Sequence, residues 1–142
     1  MKARVQEILK FIDKNPMAFQ YFNANPQGKN TNDCVVRSIC AATTMEWDDV
    51  LSGLTECALR YKLMIDDPIL YTKYLKEIGW EKQKQPKKYN GKKYTGREWA
   101  AVFKGDALVH IGAHHMVFVS HGKVWDTWDS SNGIVGNYWI KK

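Results

Sequence analysis

The chain has 142 residues, of which 44% are hydrophobic and 13% aromatic, and it carries a formal net charge of +6. This length suits a single domain, which we expect to span residues 1–142, and the composition excludes a disordered chain. No apolar run approaches the roughly 18 residues that a membrane helix needs, and the N-terminal segment lacks the features of a secretory signal. We therefore expect no membrane association.

The first half of the sequence has apolar residues at helical spacing. A helix over residues 3–13 is indicated by Val5, Ile8, Leu9 and Ile12. Three further helices are marked by caps and turn residues. They are predicted to begin near Cys34 with Asn32 or Asp33 as the cap, to cover Trp47–Tyr61, and to run from Pro68 to just before Gly79.

The second half changes to the alternating pattern of strands after a short helix. The sequence Thr95-Gly-Arg-Glu98 predicts a capping box that opens a helix ending at Phe103. Four strands are then predicted, at Ala107–Ile111, His115–Ser120, Lys123–Trp128 and Ile134–Ile140. Helices followed by strands predict an α+β fold, with N-terminal helices packed on a C-terminal antiparallel sheet.

Positive charge is concentrated between residues 82 and 104. This segment holds eight basic residues and one acid, Glu98, so it accounts for +7 and the rest of the chain sums to −1. Pro86 and the Asn90-Gly91 pair predict a loop rather than a basic helix. A solvated loop is the simpler interpretation, and a docking site for an acidic partner or a phosphate backbone is the functional one.

Cys34 is the candidate nucleophile because it opens a predicted helix. The N–H groups and dipole of a helix N-terminus stabilise a thiolate and can bind an oxyanion nearby. The adjacent Asp33 would oppose thiolate formation unless its side chain turns away to cap the helix. Cys40 and Cys57 lie in the middle of helices among apolar residues, which is typical of structural cysteines.

The predicted hairpin decides which histidine could serve as the base. A two-residue turn at His121-Gly122 places His115 diagonally opposite Asp126 on one side of the sheet. The same register pairs His114 with Asp129 on the other side. The face that packs on the Cys34 helix should carry the functional pair, and we favour His115 with Asp126 and keep His114 with Asp129 as the alternative.

These residues resemble the papain-like cysteine peptidase superfamily, and most of all its compact bacterial and phage members such as the bacteriocin-processing peptidase domains. The similarity is carried by Asp33-Cys34 at a helix start, by His115-Met-Val-Phe-Val at a strand start and by the Asp126-Thr-Trp-Asp129 stretch. It implies a Cys34–His115–Asp126 triad and a papain-like fold. Members usually carry a Gln shortly before the cysteine as an oxyanion donor, and here the candidates are Gln27, Asn30 and Asn32.

The resemblance implies hydrolysis, or transfer, at an amide or isopeptide bond of a peptide or protein through an acyl-thioester. No cofactor is needed, and the spacing of the cysteines disfavours a zinc site, so we expect no metal. Three cysteines without a disulfide pattern indicate a reduced, cytoplasmic protein. The alternative is a non-catalytic binding module on the same scaffold, whose basic 82–104 loop contacts an acidic partner, a nucleic acid or a wall polymer. For the enzyme hypothesis we expect a peptide or protein substrate, and we consider binding of nucleic acid through the basic loop less favoured.

Overall fold

The computed structural model describes residues 17–142, and the helix predicted over residues 3–13 lies outside them. Four helices lie within the described part: α1 (Cys34–Thr43), α2 (Trp47–Tyr61), α3 (Pro68–Glu77) and α4 (Gly96–Val102). The six strands are β1 (Phe19–Tyr21), β2 (Trp80–Gln83), β3 (Ala107–Ile111), β4 (His115–Ser120), β5 (Lys123–Asp126) and β6 (Val135–Lys141). The α+β class is therefore as predicted.

The strands form one six-stranded sheet in the order β1-β5-β4-β3-β6-β2. The four C-terminal strands pair in antiparallel fashion, as the sequence predicted. The prediction of a purely antiparallel, C-terminal sheet was nevertheless wrong. The short strand β1 pairs with β5 in parallel, and β2, from the middle of the chain, pairs with β6.

The helices cover the two faces of the sheet unequally. One core cluster joins α1, α2 and α3 to Met116, Phe118 and Trp125. The other joins α4 to residues such as Val117 and Val119, which alternate with the first set along β4. Helix α1 therefore packs on the middle of the sheet, and its N-terminus lies near the end where β4 begins.

The local signals for α3, α4 and the hairpin are confirmed in detail. The Asp67 carboxylate accepts the Ile69 N–H at 2.9 Å as the cap of α3, and the Thr95–Glu98 capping box opens α4. At the hairpin, His121 and Gly122 both have positive φ, at 54° and 74°, and Ser120 faces Lys123 across the turn. Positive φ at both central residues is the conformation that a two-residue turn between twisted strands requires.

Several predicted boundaries differ from the structure. Helix α4 ends at Val102, one residue before the predicted Phe103, and β6 spans Val135–Lys141 instead of Ile134–Ile140. Strand β5 ends at Asp126 instead of Trp128, because the Asp126 carboxylate accepts the Thr127 N–H at 2.7 Å and the chain turns there. The predicted cap of α1 is confirmed in position but not in its side-chain bond. Asp33 holds the N-cap position but makes no side-chain cap hydrogen bond, since other groups occupy its carboxylate.

Candidate functional site: a Cys-His-Asp cluster at the end of the sheet

Cys34 is the first residue of α1 and is partly exposed. The His115 ring and the Met116 backbone both interact with its side chain and lower the pKa of the thiol. The thiol is thus held between the start of a helix and the start of a strand. Both elements bring backbone N–H groups to this point, as expected for a site that stabilises negative charge.

His115 is the first residue of β4 and connects the thiol to an acid. Its Nε2 lies 2.5 Å from Oδ2 of Asp126. With Nε2 occupied in this way, Nδ1 is the nitrogen left to face the Cys34 thiol, with which the ring also interacts. The His115 side chain is 21% exposed, against 2% for Asp126, so substrate could reach the imidazole but water has little access to the acid.

Asp126 is the last residue of β5 and both of its carboxylate oxygens are used. Oδ1 accepts the Thr127 N–H at 2.7 Å and Arg37 Nη2 at 3.2 Å. Oδ2 accepts the Ser130 hydroxyl at 2.6 Å in addition to its contact with His115. A carboxylate with this many donors is fixed in rotation and is held in its ionised form.

The loop that supplies Ser130 is itself held by α4. The Gly96 N–H donates to the Gly133 carbonyl at 2.9 Å, and the Arg97 N–H donates to the Ser131 carbonyl at 2.8 Å. These are the first N–H groups of a helix, which have no partner within it. The capping box that places α4 therefore also places the loop beneath Asp126.

The pKa values of the three groups shift in the directions that a thiolate–imidazolium pair requires. Burial raises the pKa of Cys34, but the hydrogen bonds from His115 and the Met116 N–H and the charges of His115 and Arg37 outweigh it, so the net pKa is lowered. Burial lowers the pKa of His115, and the hydrogen bonds with Asp126 and Cys34 then raise it to about 9. Burial likewise raises the pKa of Asp126, whereas its bonds with His115 and Ser130 lower it below the usual range.

The cluster opens into a cleft of about 450 Å³. Most of its lining is polar, and Trp128 lies on one side with its ring centroid 5.1 Å from that of His115. The residues that line it are Asn30, Thr31, Asn32, Cys34, Arg37, Asp66, His114, His115, Thr127 and Trp128. A cleft of this size accommodates a few residues of an extended peptide, and it reaches the thiol directly.

Two of the three predicted oxyanion donors line this cleft. Asn30 and Asn32 are exposed residues on its wall. Gln27 is exposed and does not line it, and its own N–H donates to the Asn25 side chain at 2.9 Å. Asn30 and Asn32 are therefore the better placed amides.

The structure does not join the alternative pair. His114 lines the same cleft, but Asp129 accepts the Ser131 N–H at 3.1 Å and lies 3.9 Å from Arg97. Within residues 17–142, no hydrogen bond or ion pair joins His114 to Asp129. His110 lies 2.7 Å from the Tyr71 hydroxyl through its Nε2.

The reason given for preferring His115 was nevertheless wrong. Strand alternation assigns His115 to the face of Val117, whereas α1 packs on the face of Met116 and Phe118. Contact with Cys34 forms because both residues are the first of their elements. The side chains meet at the end of the sheet and not across its face.

Sequence reasoning missed Arg37, whose guanidinium bonds the carboxylates of both Asp33 and Asp126. It lies in the otherwise apolar start of α1, Cys-Val-Val-Arg-Ser-Ile, and is almost fully buried. A charged residue among apolar helix positions was the available signal, because such residues are rarely buried without a partner. Ser38, also buried, donates to the Cys34 carbonyl at 2.7 Å and contacts the Met116 carbonyl at 2.9 Å, which ties α1 to β4.

Comparison with known proteins gives no relative: no family model, curated protein or solved structure matches the chain. Among residues 17–142, no group of three or more His, Cys, Asp or Glu side chains is arranged to hold a metal ion. None of the helices in that range combines the length and the apolar character of a transmembrane span.

Proposed function

We propose that the chain is a cysteine peptidase-like hydrolase or acyl transferase, acting at an amide or isopeptide bond of a peptide or protein. The observation that carries this proposal is that His115 lies beside Cys34 on the wall of an open cleft, interacts with its thiol and lies 2.5 Å from the Asp126 carboxylate. A nucleophile, a base and a residue that orients the base are the three parts that covalent thiol catalysis needs.

In the proposed reaction, His115 takes the thiol proton and the Cys34 sulfur attacks the substrate carbonyl. The carbonyl oxygen becomes an oxyanion, which would be bound by the Cys34 N–H and an amide of Asn30 or Asn32. The C–N bond then breaks, and His115 returns the proton to the leaving amine. His115 then takes a proton from water or an acceptor amine as that nucleophile attacks the thioester, the C–S bond breaks, and the Cys34 thiolate is released beside the His115 imidazolium. Asp126 keeps the imidazole oriented and stabilises its cation.

A papain-like fold is part of the proposal. A cysteine at the start of a helix packed on the sheet, followed by a histidine and an acid on adjacent antiparallel strands, is the arrangement expected from the sequence resemblance. A cytoplasmic location is also proposed, since Cys34, Cys40 and Cys57 are all free thiols, which suits a reducing compartment.

Alkylation with iodoacetamide over a pH series tests the proposal, because the chain contains its own reference thiols. Burial raises the pKa of Cys40 to about 12 and also raises that of Cys57. We expect Cys34 to be labelled well below pH 8 and the other two to remain unlabelled, with the adduct located by mass spectrometry.

The histidine variants provide the matched pair. His115→Asn should move the labelling of Cys34 to the range of an ordinary thiol, near pH 8.5, whereas His114→Asn, on the same cleft wall, should leave it in place. Labelling of Cys34 at the rate of an unperturbed thiol in the native protein would refute the enzyme proposal.

A second function, binding of an acidic partner, is favoured by the shape of the basic segment. Lys87 and Lys93 pair across a small hairpin, and Tyr89 at its tip is fully exposed. Exposed lysines around an exposed aromatic ring suit an acidic protein, a nucleic acid or an anionic wall polymer. Reversing the charge of Lys87 and Lys93 should abolish such binding, while Cys34→Ala should not affect it.

A further inference from the structure

Arg37 is a buried cation between the two acids of the site. Its side chain is 6% exposed and lies one helical turn after Cys34. Nη2 donates to Oδ1 of Asp126 at 3.2 Å, and Nη1 donates to a carboxylate oxygen of Asp33 and to the Thr31 carbonyl at 3.2 Å. Burying a guanidinium is costly unless it is fully paired, and here each of its two terminal nitrogens has an acceptor.

The contact with Asp126 fixes which oxygen faces the base. Arg37 and the Thr127 N–H share Oδ1, so Oδ2 is left for His115 and the Ser130 hydroxyl. Arg37 is the donor to this carboxylate that comes from α1, and its loss would leave Oδ1 with the Thr127 N–H and would loosen the carboxylate's rotation about its Cβ–Cγ bond. Together with the Thr127 N–H and the Ser130 hydroxyl, the guanidinium therefore holds the orientation of the group that orients His115.

The contact with Asp33 removes a negative charge from the tip of the helix. An aspartate at an N-cap position ordinarily accepts a first-turn N–H, which would place its charge beside the thiol. Asp33 makes no such bond. Its two oxygens accept from Arg37 and, at 2.9 Å, from Trp47 Nε1. The start of α1 is thereby left for the sulfur and a developing oxyanion.

We propose that Arg37 is a positioning residue, which locks the Asp126 carboxylate under His115 and holds the Asp33 carboxylate off the helix tip. This inference rests on the proposed function. With Arg37, the formal charges of Asp33, Asp126, a Cys34 thiolate and a His115 imidazolium sum to −1. Without it they sum to −2, and the excess charge disfavours the thiolate.

Arg37 is one of several charged or titratable groups near the thiol. Burial has the largest effect on the pKa of Cys34 and raises it, whereas His115 and the Met116 backbone lower it. The charge of Arg37 also lowers this pKa, by a smaller amount. The other groups that face this region come from the preceding loop, the cleft wall, α3 and the strands: Asp33, Asp66, Tyr71, His114, His115 and Asp126.

A charge-compensation series tests the electrostatic part of the inference. In Arg37→Met, the pH at which Cys34 reacts with iodoacetamide should rise by about one unit. In Asp33→Asn it should fall, because Arg37 then acts without its counter-charge. In the double variant it should return close to the native value. A loss of packing alone would not be reversed by the second substitution.

Acylation by p-nitrophenyl acetate tests the positioning part. Native protein should release a burst of p-nitrophenolate that disappears in Cys34→Ala. In Arg37→Lys the charge remains, but the planar fork whose two terminal nitrogens each reach one carboxylate is lost. The burst should therefore slow by about tenfold or more while the alkylation profile stays in place. The double variant should regain the alkylation profile but not the burst rate.

Thermal unfolding shows which variants fold. If Arg37→Met does not fold, Asp33→Asn and Arg37→Lys still test the inference. It is overturned if Asp33→Asn leaves the pH profile of Cys34 alkylation unchanged and Arg37→Lys leaves the rate of the p-nitrophenolate burst unchanged. The proposed function fails separately, when native Cys34 reacts like an ordinary thiol. If native Cys34 is reactive but its reactivity does not change in the Arg37 variants, the proposed function is retained and only the positioning role of Arg37 is rejected.

Discussion

Replacing Asp126 by Asn is the most direct perturbation of the proposed triad, because it changes one charge and almost no volume. The two oxygens of Asp126 have different partners, which predicts how the amide would settle. The position of Oδ1 faces two donors, the Thr127 N–H and Arg37, so the amide oxygen belongs there. The amide nitrogen then takes the position of Oδ2, beside Nε2 of His115 and the Ser130 hydroxyl.

In that orientation the amide donates to His115. Nε2 becomes an acceptor and the ring proton moves to Nδ1, the nitrogen that should accept the proton of the Cys34 thiol. The imidazole is then in the wrong tautomer to act as the base. Loss of the charge also removes the main group that stabilises the imidazolium. Both effects reduce the population of thiolate.

The magnitude follows from the shift at His115. Its pKa of about 9 exceeds its ordinary value of 6.5 by about 2.5 units, which corresponds to about 3 kcal/mol. This is a net value, because burial lowers the pKa of His115 and the interactions with Asp126 and Cys34 together more than offset it. Little of it is lost to solvent screening, since the Asp126 side chain is 2% exposed. We therefore expect the reactive thiolate to fall by about two orders of magnitude near pH 7.

The assay is the rate of Cys34 alkylation by iodoacetamide against pH, with the adduct located by mass. Asp126→Asn should move the inflection towards pH 8.5 or above, the range of an ordinary thiol. Asp129→Asn is the matched control, because Asp129 lies three residues away and binds Ser131 and Arg97 instead. An unchanged profile in Asp126→Asn, or a shift caused by Asp129→Asn, would refute the assignment of the acid.

Three further outcomes are expected. The rate of acyl transfer should decline as pH rises through about 9, because the raised pKa of His115 lies there and the imidazolium that returns the proton is lost above it. Steady-state rates measured against pH test this. Asn30→Ala or Asn32→Ala should slow acylation by about tenfold or more without moving the alkylation profile, whereas Gln27→Ala should do neither; equal effects of all three would remove the amide-donor assignment. Thr95→Ala should lower the free energy of unfolding by about 1 kcal/mol, measured in urea, because the capping box of α4 loses its acceptor; an unchanged midpoint would contradict that role.

Much of the fold was predictable because its signals are local. The proline and aspartate that open α3, the capping box of α4 and the turn at His121-Gly122 each act within four residues, and all are found where predicted. Strands β1 and β2 were missed for the opposite reason. β1 has three residues and β2 carries two charges, so neither has a pattern of its own, and each exists through its pairing with a distant strand.

The site divides in the same way. Cys34, His115 and Asp126 were identifiable because a helix start, a strand start and a two-residue turn fix their places along the chain, and turn register relates the last two. The sequence could not decide which way the Asp33 carboxylate turns or what neutralises it. Those outcomes depend on Arg37, which meets Asp126 across 89 positions of the chain. Only close packing of α1 against the strands brings such charges together, and burial then makes their pairing obligatory.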